Sequence, residues 1–429
     1  MTKILIMTYF FPPGNFAGSY RIASWAKYLH RFGFYPVIVT RKWENESSSF
    51  REMAKPTSKG IVHEKYDTHE VYYLPYRGNL RDSLYVKFGE SKFNVLRKTL
   101  SLIELIFQNV TNTVIPFRNF YSFSKKLINN DPDIRLMLAS GKPYILFKFC
   151  YLLNKRFHIP WVADYRDEWT TSQWNRNASG IRKWVLTIES KNEKKWTGSA
   201  STLLSVSEMW MESISQFTAK KGHVIMNGFD PADYPDADSV ERFPEFSVIY
   251  NGTLYPTQAV EVFLEGFIKV INKYEGRATL KIRFPGLLID PKRTLEVKKA
   301  MLGFEENYEI FDRLPKKEVI SMQLKSHLLL MVAHNDIKGT HSSKIFEYLA
   351  CKRAVLLCPS DNDVLADLII RTNAGFICNN SADVFNLLDR LVSDFITQKK
   401  SIFNGSISEI QKYSRENQAL KLAGILKEL

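Results

Sequence analysis

Gly339-Thr-His-Ser-Ser-Lys344-Ile-Phe-Glu347-Tyr-Leu-Ala350-Cys-Lys-Arg-Ala354-Val-Leu-Leu-Cys358 reads as a glycine- and hydroxyl-rich loop, a short helix and an apolar strand. Gly339 and Thr340 belong to the loop, and Ser342 and Ser343 suit the cap of the helix. The free N–H groups at its first turn suit an anion. Lys344 and Glu347 are three residues apart, hence on one face of that helix. Lys344 could neutralise a phosphate while Glu347 accepts from ribose hydroxyls; taken alone, the pair reads as no more than a surface ion pair.

Working outward, apolar strand-like runs alternate with amphipathic helical ones, the rhythm of parallel βαβ units. In this half strands are expected at Ser247–Tyr250, Thr279–Phe284, Tyr308–Phe311, His327–Val332, Ala354–Cys358 and Gly375–Ile377. The rhythm also fills the first half, with strands expected at Ile4–Thr8, Pro36–Thr40, Val71–Leu74, Ile134–Ala139, Trp161–Ala163, Thr202–Val206 and His223–Ile225. Asp230-Pro-Ala-Asp-Tyr-Pro-Asp-Ala-Asp between the halves reads as a linker. The expected organisation is a Rossmann-like domain over 1–232, a linker over 233–245, a second such domain over 246–405, and a helix over 406–429 packing back on the first.

A chain of 429 residues, 45% hydrophobic and 24% charged, suits two globular domains rather than a disordered or fibrous protein. Neither a membrane-spanning run nor a signal-peptide cleavage site is apparent, and Met1–Phe11 reads as a buried first strand. The four cysteines lie in apolar stretches without metal-ligand spacing, which points to a reducing cytoplasm. The net charge of +14 is uneven: residues 1–245 hold 34 Lys and Arg against 24 Asp and Glu, the remainder 25 against 21. A basic first half suits an anionic partner. Residues 76–126 break the βα rhythm and carry nine basic residues against three acidic ones around the apolar run Leu96–Phe107. That pattern fits either a helix adsorbed on an anionic membrane or a helix of the first domain with a solvated basic face.

Two further clusters follow strands of the first half. Phe11-Pro-Pro-Gly-Asn-Phe-Ala-Gly-Ser-Tyr-Arg21 opens a helix, with Gly14 and Gly18 permitting close approach and Arg21 available to an anion or sugar. It is not a dinucleotide fingerprint. Trp161-Val-Ala-Asp164-Tyr-Arg166-Asp167-Glu-Trp169 places Asp164, Arg166 and Asp167 at a strand's carboxyl edge, with Trp169 able to stack on a sugar. Two Asp-x-Asp strings, Asp131–Asp133 and Asp361–Asp363, read as a turn and a helix cap.

Asn227-Gly-Phe-Asp230, preceded by Leu204-Ser-Val-Ser-Glu208, resembles a passage of family 4 glycosyltransferases. Tyr250-Asn-Gly-Thr-Leu-Tyr255 resembles the first turn of their donor domain, and Lys344–Ala350 their donor-binding helix. The Asp-Tyr-Arg-Asp-Glu-Trp stretch resembles members that build bacterial surface polysaccharides. The likeness runs from the first strand to about Asn379, with the middle of the first domain unmatched.

The resemblance implies an α/β GT-B fold with two Rossmann-like domains facing across a cleft. It implies a retaining hexosyltransferase-like enzyme taking a nucleoside-diphosphate sugar, without metal or other cofactor. The acceptor implied is a glycan or a polyprenyl-diphosphate-linked glycan of capsule, O-antigen or exopolysaccharide synthesis. The enzyme would be cytoplasmic, peripheral on the inner face of the plasma membrane, and without a nucleic-acid partner. Glu347 would hold the ribose; Lys344 with Gly339, Thr340, Ser342 and Ser343 the diphosphate; Gly252 and Thr253 the donor turn. Asp164, Arg166 and Asp167 would be catalytic, Trp169 would stack, and Gly14, Gly18 and Arg21 would form the opposing wall.

Two departures from the family pattern stand out. Where the family often carries Glu-x7-Glu, this chain has Gly339 in place of the first acid, and Thr253–Gln258 lacks the Arg and Lys that often follow the donor turn. Lys344, Arg21, Arg283 or backbone N–H groups would have to supply that charge. The rival readings are a non-catalytic partner of the same fold and a nucleotide-sugar hydrolase or epimerase.

Overall fold

A computed structural model describes residues 1–44, 50–111, 115–397 and 403–429. Residues 112–114 of the basic segment and 398–402 of the expected second domain lie outside the described residues. Contacts divide the chain into one unit of Met1–Asn227 with Arg415–Leu429, and another of Gly228–Ser414.

The first unit is built on β1 (Thr2–Thr8), β2 (Phe34–Arg41), β3 (Val62–Lys65), β4 (Glu70–Leu74), β5 (Ile134–Gly141), β6 (Trp161–Tyr165), β7 (Thr202–Ser205) and β8 (Gly222–Val224). Their order is β3-β4-β2-β1-β5-β6-β7-β8, parallel except where β3 runs antiparallel to β4. Strands buried on both faces need near-continuous apolar sequence. In β1, Leu5 and Met7 enter one core layer while Ile4 and Ile6 enter the other. Edge strand β3 was not among the strands expected from sequence; Val-His-Glu-Lys buries nothing, so no apolar alternation marks it.

The second of these layers also receives Leu422, Ile425 and Leu426 from the terminal helix Arg415–Lys427, beside Ile22 and Trp25 of the Ala17–Tyr28 helix. Each such burial stabilises by about 1.5–3 kcal/mol. Gln418 of the same helix accepts from the Met226 amide at 2.8 Å, so the chain's end closes the first unit's core.

The second unit has β9 (Phe246–Ile249), β10 (Leu280–Pro285), β11 (Tyr308–Phe311), β12 (Leu328–Met331), β13 (Ala354–Leu357) and β14 (Gly375–Ile377). The order β11-β10-β9-β12-β13-β14 is parallel throughout. The Asp- and Pro-rich stretch after Asn227 forms two short 3-10 turns, Pro231–Asp233 and Ala237–Ser239, and belongs to this unit.

Strand order reverses direction between β1 and β5 in the first sheet, and between β9 and β12 in the second. Open α/β sheets bind ligands beyond the carboxyl ends of strands at such points. The expected site residues fall at or beside these two edges.

Candidate functional sites at the two sheet edges

In the second unit the chain leaves β9 through Asn251 and Gly252, and leaves β10 through Gly286. Both glycines have left-handed backbone, φ 94° and 90°. A Cβ on Gly286 would lie 3.2 Å from the Gly252 Cα, and one on Gly252 would lie 3.1 Å from the Lys344 Cε. Glycine is favoured at both positions by conformation, and at Gly286 also by the nearby backbone. The Gly252 amide donates to the Pro285 carbonyl at 2.7 Å, tying one turn to the other.

Lys344 reaches this pair of turns from the Ser343–Ala350 helix. Its Nζ donates to the Tyr250 hydroxyl at 2.9 Å and lies 4.4 Å from that ring's centroid. The helix is held in place by buried Tyr348, whose hydroxyl accepts from the Asn251 amide at 3.0 Å. Ser342 caps the helix, its hydroxyl accepting from the Lys344 amide at 3.4 Å. Glu347 is half-buried one turn on, while Ser343 is exposed.

The preceding loop is anchored where the Gly339 amide donates to Asp363 at 2.6 Å; Gly339 has φ 71°, and Thr340 beside it is half-buried. His334, at the start of this loop, contacts the Thr257 hydroxyl at 2.7 Å. Burial, and then the charge of Lys344, push its pKa down, which favours the neutral imidazole. Thr253 continues the first turn, its carbonyl accepting from the Tyr250 hydroxyl at 3.1 Å. Asp361, in the string expected to cap a helix, accepts from the Leu365 and Ala366 amides at 2.8 and 3.1 Å.

Of the three cations considered for an anion here, Arg283 is committed elsewhere. Its guanidinium donates to Glu309 at 2.8 Å, to Ser247 at 2.8 Å and to Glu245 at 2.5 Å, and it is buried. Arg21 of the first unit is likewise committed. It binds Asp164 through two nitrogens at 2.8 and 3.2 Å and donates to the Ile225 carbonyl at 2.8 Å. The Ser140 hydroxyl completes the shell of Asp164 at 2.8 Å.

Side-chain exposure is 3% for Arg21 and 0% for Asp164, which corrects the expectation that they face a ligand. They join the Ala17–Tyr28 helix, β5, β6 and the segment after β8 from inside. Asp164 is thus held inside the β6 edge by Arg21 and Ser140.

Trp169 is corrected for a similar reason. Its indole stacks on Tyr144 at 4.5 Å and 8° and packs against Trp196 at 5.6 Å, although it also borders a cavity of the first unit. The residues between are placed differently. Arg166 lies 4.8 Å over the Phe10 ring and 3.5 Å from Asp167, which is 42% exposed and also 3.7 Å from Lys142. Gly18 makes room for this arginine: a Cβ there would come within 1.5 Å of its Nη1. Gly14 plays the same part for Trp43, whose ring a Cβ would meet at 2.9 Å.

Glu168, not singled out from sequence, borders a cavity of about 540 Å³ in the first unit. Burial pushes its carboxyl up to about 7, and does the same for Glu193. Gly286 and Tyr250 were also missed as site residues. A glycine directly after a strand was the available signal for Gly286; Glu168 carried none, since its burial depends on distant helices.

No family model and no curated protein matches this chain. Solved structures do. The chain is similar to sucrose-phosphate synthase (tll1590) from Thermosynechococcus elongatus, with TM-score 0.63 and 14% identity over 100% of this chain and 99% of that one. It is similar to Anabaena Alr3699/HepE in complex with UDP and glucose, with TM-score 0.59 and 14% identity over the whole of both chains. Trehalose-6-phosphate synthase OtsA gives TM-score 0.61 and 12% identity over 100% of this chain and 99% of that one. At these identities the likeness establishes the fold, which is GT-B.

Proposed function

We propose that this GT-B chain is a retaining glycosyltransferase that moves a sugar from a nucleoside-diphosphate sugar to a glycan or lipid-linked acceptor of a bacterial surface polysaccharide. The observation that carries the reading is the second sheet's switch point. There, two glycine turns pack against a lysine whose only described partner atom is a neutral hydroxyl. Such a place accepts an anion with little rearrangement: Lys344 supplies charge, and the amides at the start of the Ser343–Ala350 helix supply donors. The HepE structure containing UDP and glucose supports a nucleotide as that anion.

In this reading Lys344 stabilises negative charge as the diphosphate departs, where a pre-placed cation is most effective. Glu347 accepts from the ribose hydroxyls, and Gly339, Thr340, Ser342 and Ser343 line the phosphates. Arg166 and Asp167 handle the sugar or acceptor from the first unit, set in place by the buried Arg21–Asp164 pair. No covalent nucleophile and no metal is part of this proposal.

One feature favours the rival of a non-catalytic partner: Arg21 and Arg283 are both spent on internal pairs, so Lys344 stands without the second cation their sequence positions suggested. Melting of the purified chain with millimolar UDP, GDP, ADP or CMP, without metal, tests the proposal. A nucleotide at 100 times its dissociation constant stabilises by about 2.7 kcal/mol. A shift with one nucleotide, lost in Lys344→Ala, is the expected result. The absence of any shift would overturn the donor site and favour the partner reading.

A further inference from the structure

Two helices of the first unit leave apolar side chains in water. Asn94–Val110 is 17 residues long and buries none of them. Leu96, Ile103, Ile106, Phe107 and Val110 follow helical spacing and form a stripe roughly 100° wide. Their exposures run from 41% for Ile103 to 85% for Val110. The Gly180–Thr197 helix buries residues only from Asn192 onward. Its opening turns expose Ile181 and Trp184, and Trp174 just before it is 68% exposed.

The two helices border one cavity of about 540 Å³. Glu104 and Gln108 come from the first helix, and Arg182 and Glu189 from the second, with Trp174 and Glu168 between them. Both helices therefore border a single opening, which Trp174 also lines.

The charge around this face selects its partner. Residues 87–110 and 174–184 contain seven basic side chains, among them Lys92, Lys98, Arg176 and Lys183, against two acidic ones, Glu90 and Glu104. An apolar stripe with cationic flanks and tryptophans at its margin matches the boundary between headgroups and acyl chains of an anionic bilayer. A second copy of the chain would bring the same positive face against itself.

We propose that this face docks on an anionic lipid bilayer, with the Leu96–Val110 stripe, Ile181, Trp174 and Trp184 in the headgroup region and the cavity opening beside them. The docking goes beyond the transferase reading and does not rest on it.

The test is sedimentation of the full chain with vesicles of phosphatidylglycerol and phosphatidylcholine, or of phosphatidylcholine alone. The expected result is salt-sensitive binding to the anionic vesicles. Ile106→Glu combined with Phe107→Glu should lower that binding by about tenfold or more, with an unchanged melting curve. Brominated phosphatidylcholine in the same vesicles should quench tryptophan fluorescence, and the quenching should fall in the Trp174→Phe, Trp184→Phe variant.

Absence of vesicle binding, or equal binding by the glutamate variant, would overturn the proposal. So would concentration-dependent dimerisation that the glutamate variant abolishes without any vesicle binding, since the face would then join two copies. Nucleotide-induced melting shifts are read without vesicles, so failure there counts against the donor site and leaves the docking result standing.

Discussion

The carboxyl edge of β6 and the carboxyl edge of β9 both end in conspicuous polar residues, yet the fold uses them in opposite ways. At the end of β6, Asp164 and Arg21 of the Ala17–Tyr28 helix spend their hydrogen-bonding capacity on each other, on Ser140 and on a backbone carbonyl, and both are buried. Beyond β9 the Gly252 turn meets the Gly286 turn that follows β10 and Lys344 of the Ser343–Ala350 helix, held by a tyrosine hydroxyl and half-buried. Charge at a strand end is therefore not itself a sign of a binding site. What separates the two edges is whether the charge already has an ionic partner inside the protein.

The largest expected effect tests the internal pair. Asp164→Ala leaves the Arg21 guanidinium buried beside carbonyls alone, and breaking a buried pair in this way costs about 3–5 kcal/mol. Denaturant unfolding should show that loss in the first unit. A change below about 1 kcal/mol would mean that the pair is not structural and would reopen Asp164 as a ligand group.

Next comes a pH effect confined to the first unit. Burial raises the Glu193 carboxyl from 4.5 to about 7, so the folded chain keeps a proton there that the unfolded chain releases. Stability from this group is present below about pH 4.5 and is lost as pH rises through about 7. Glu193→Gln removes the ionisation, so its melting temperature should match the parent chain at pH 5 and exceed it by several degrees at about pH 8. Equal melting at both pH values would show that the carboxylate is ionised without cost.

At the second edge, Lys344→Ala should leave stability nearly unchanged while weakening the nucleotide found in the melting screen by about tenfold or more. That is 1.4 kcal/mol or above, within the range of a charge-assisted hydrogen bond. Titration calorimetry measures it directly, and unaltered affinity would remove the contrast between the edges. The smallest effect is expected at Asp167, whose ion pairs are part-exposed. Asp167→Asn should change stability by less than about 0.5 kcal/mol while lowering kcat, once an acceptor assay exists. A pure stability effect would make it another positioning residue.

Much of the fold was legible because its strands are apolar on both faces and so stand out locally. The runs around Ile4–Thr8 and Ala354–Cys358 lie on β1 and β13, as alternation with helical periods leads one to expect. Strand β3 escaped because an exposed edge strand needs no apolar pattern. The site was legible only in part. Lys344 and Gly252 come together because a short helix and a tight turn are both local features placed at a sheet edge by βα rhythm. Trp169 misled because an aromatic after a strand is equally suited to a sugar face and to a stack on Tyr144, and nothing local distinguishes them.

By itself the sequence determined the βα order, the glycine of the Gly252 turn, the capped helix carrying Lys344, and the basic excess of the first half. These follow from conformational preference and periodicity, which act over a few residues. Tertiary structure alone decided which charges are spent and which remain. Arg21 meets Asp164 across 143 positions of chain, Arg283 meets Glu245 and Glu309 across the sheet, and the Asn94–Val110 helix buries none of its residues. The energy of a charge or an apolar face depends on what lies against it, and packing between distant segments sets that environment.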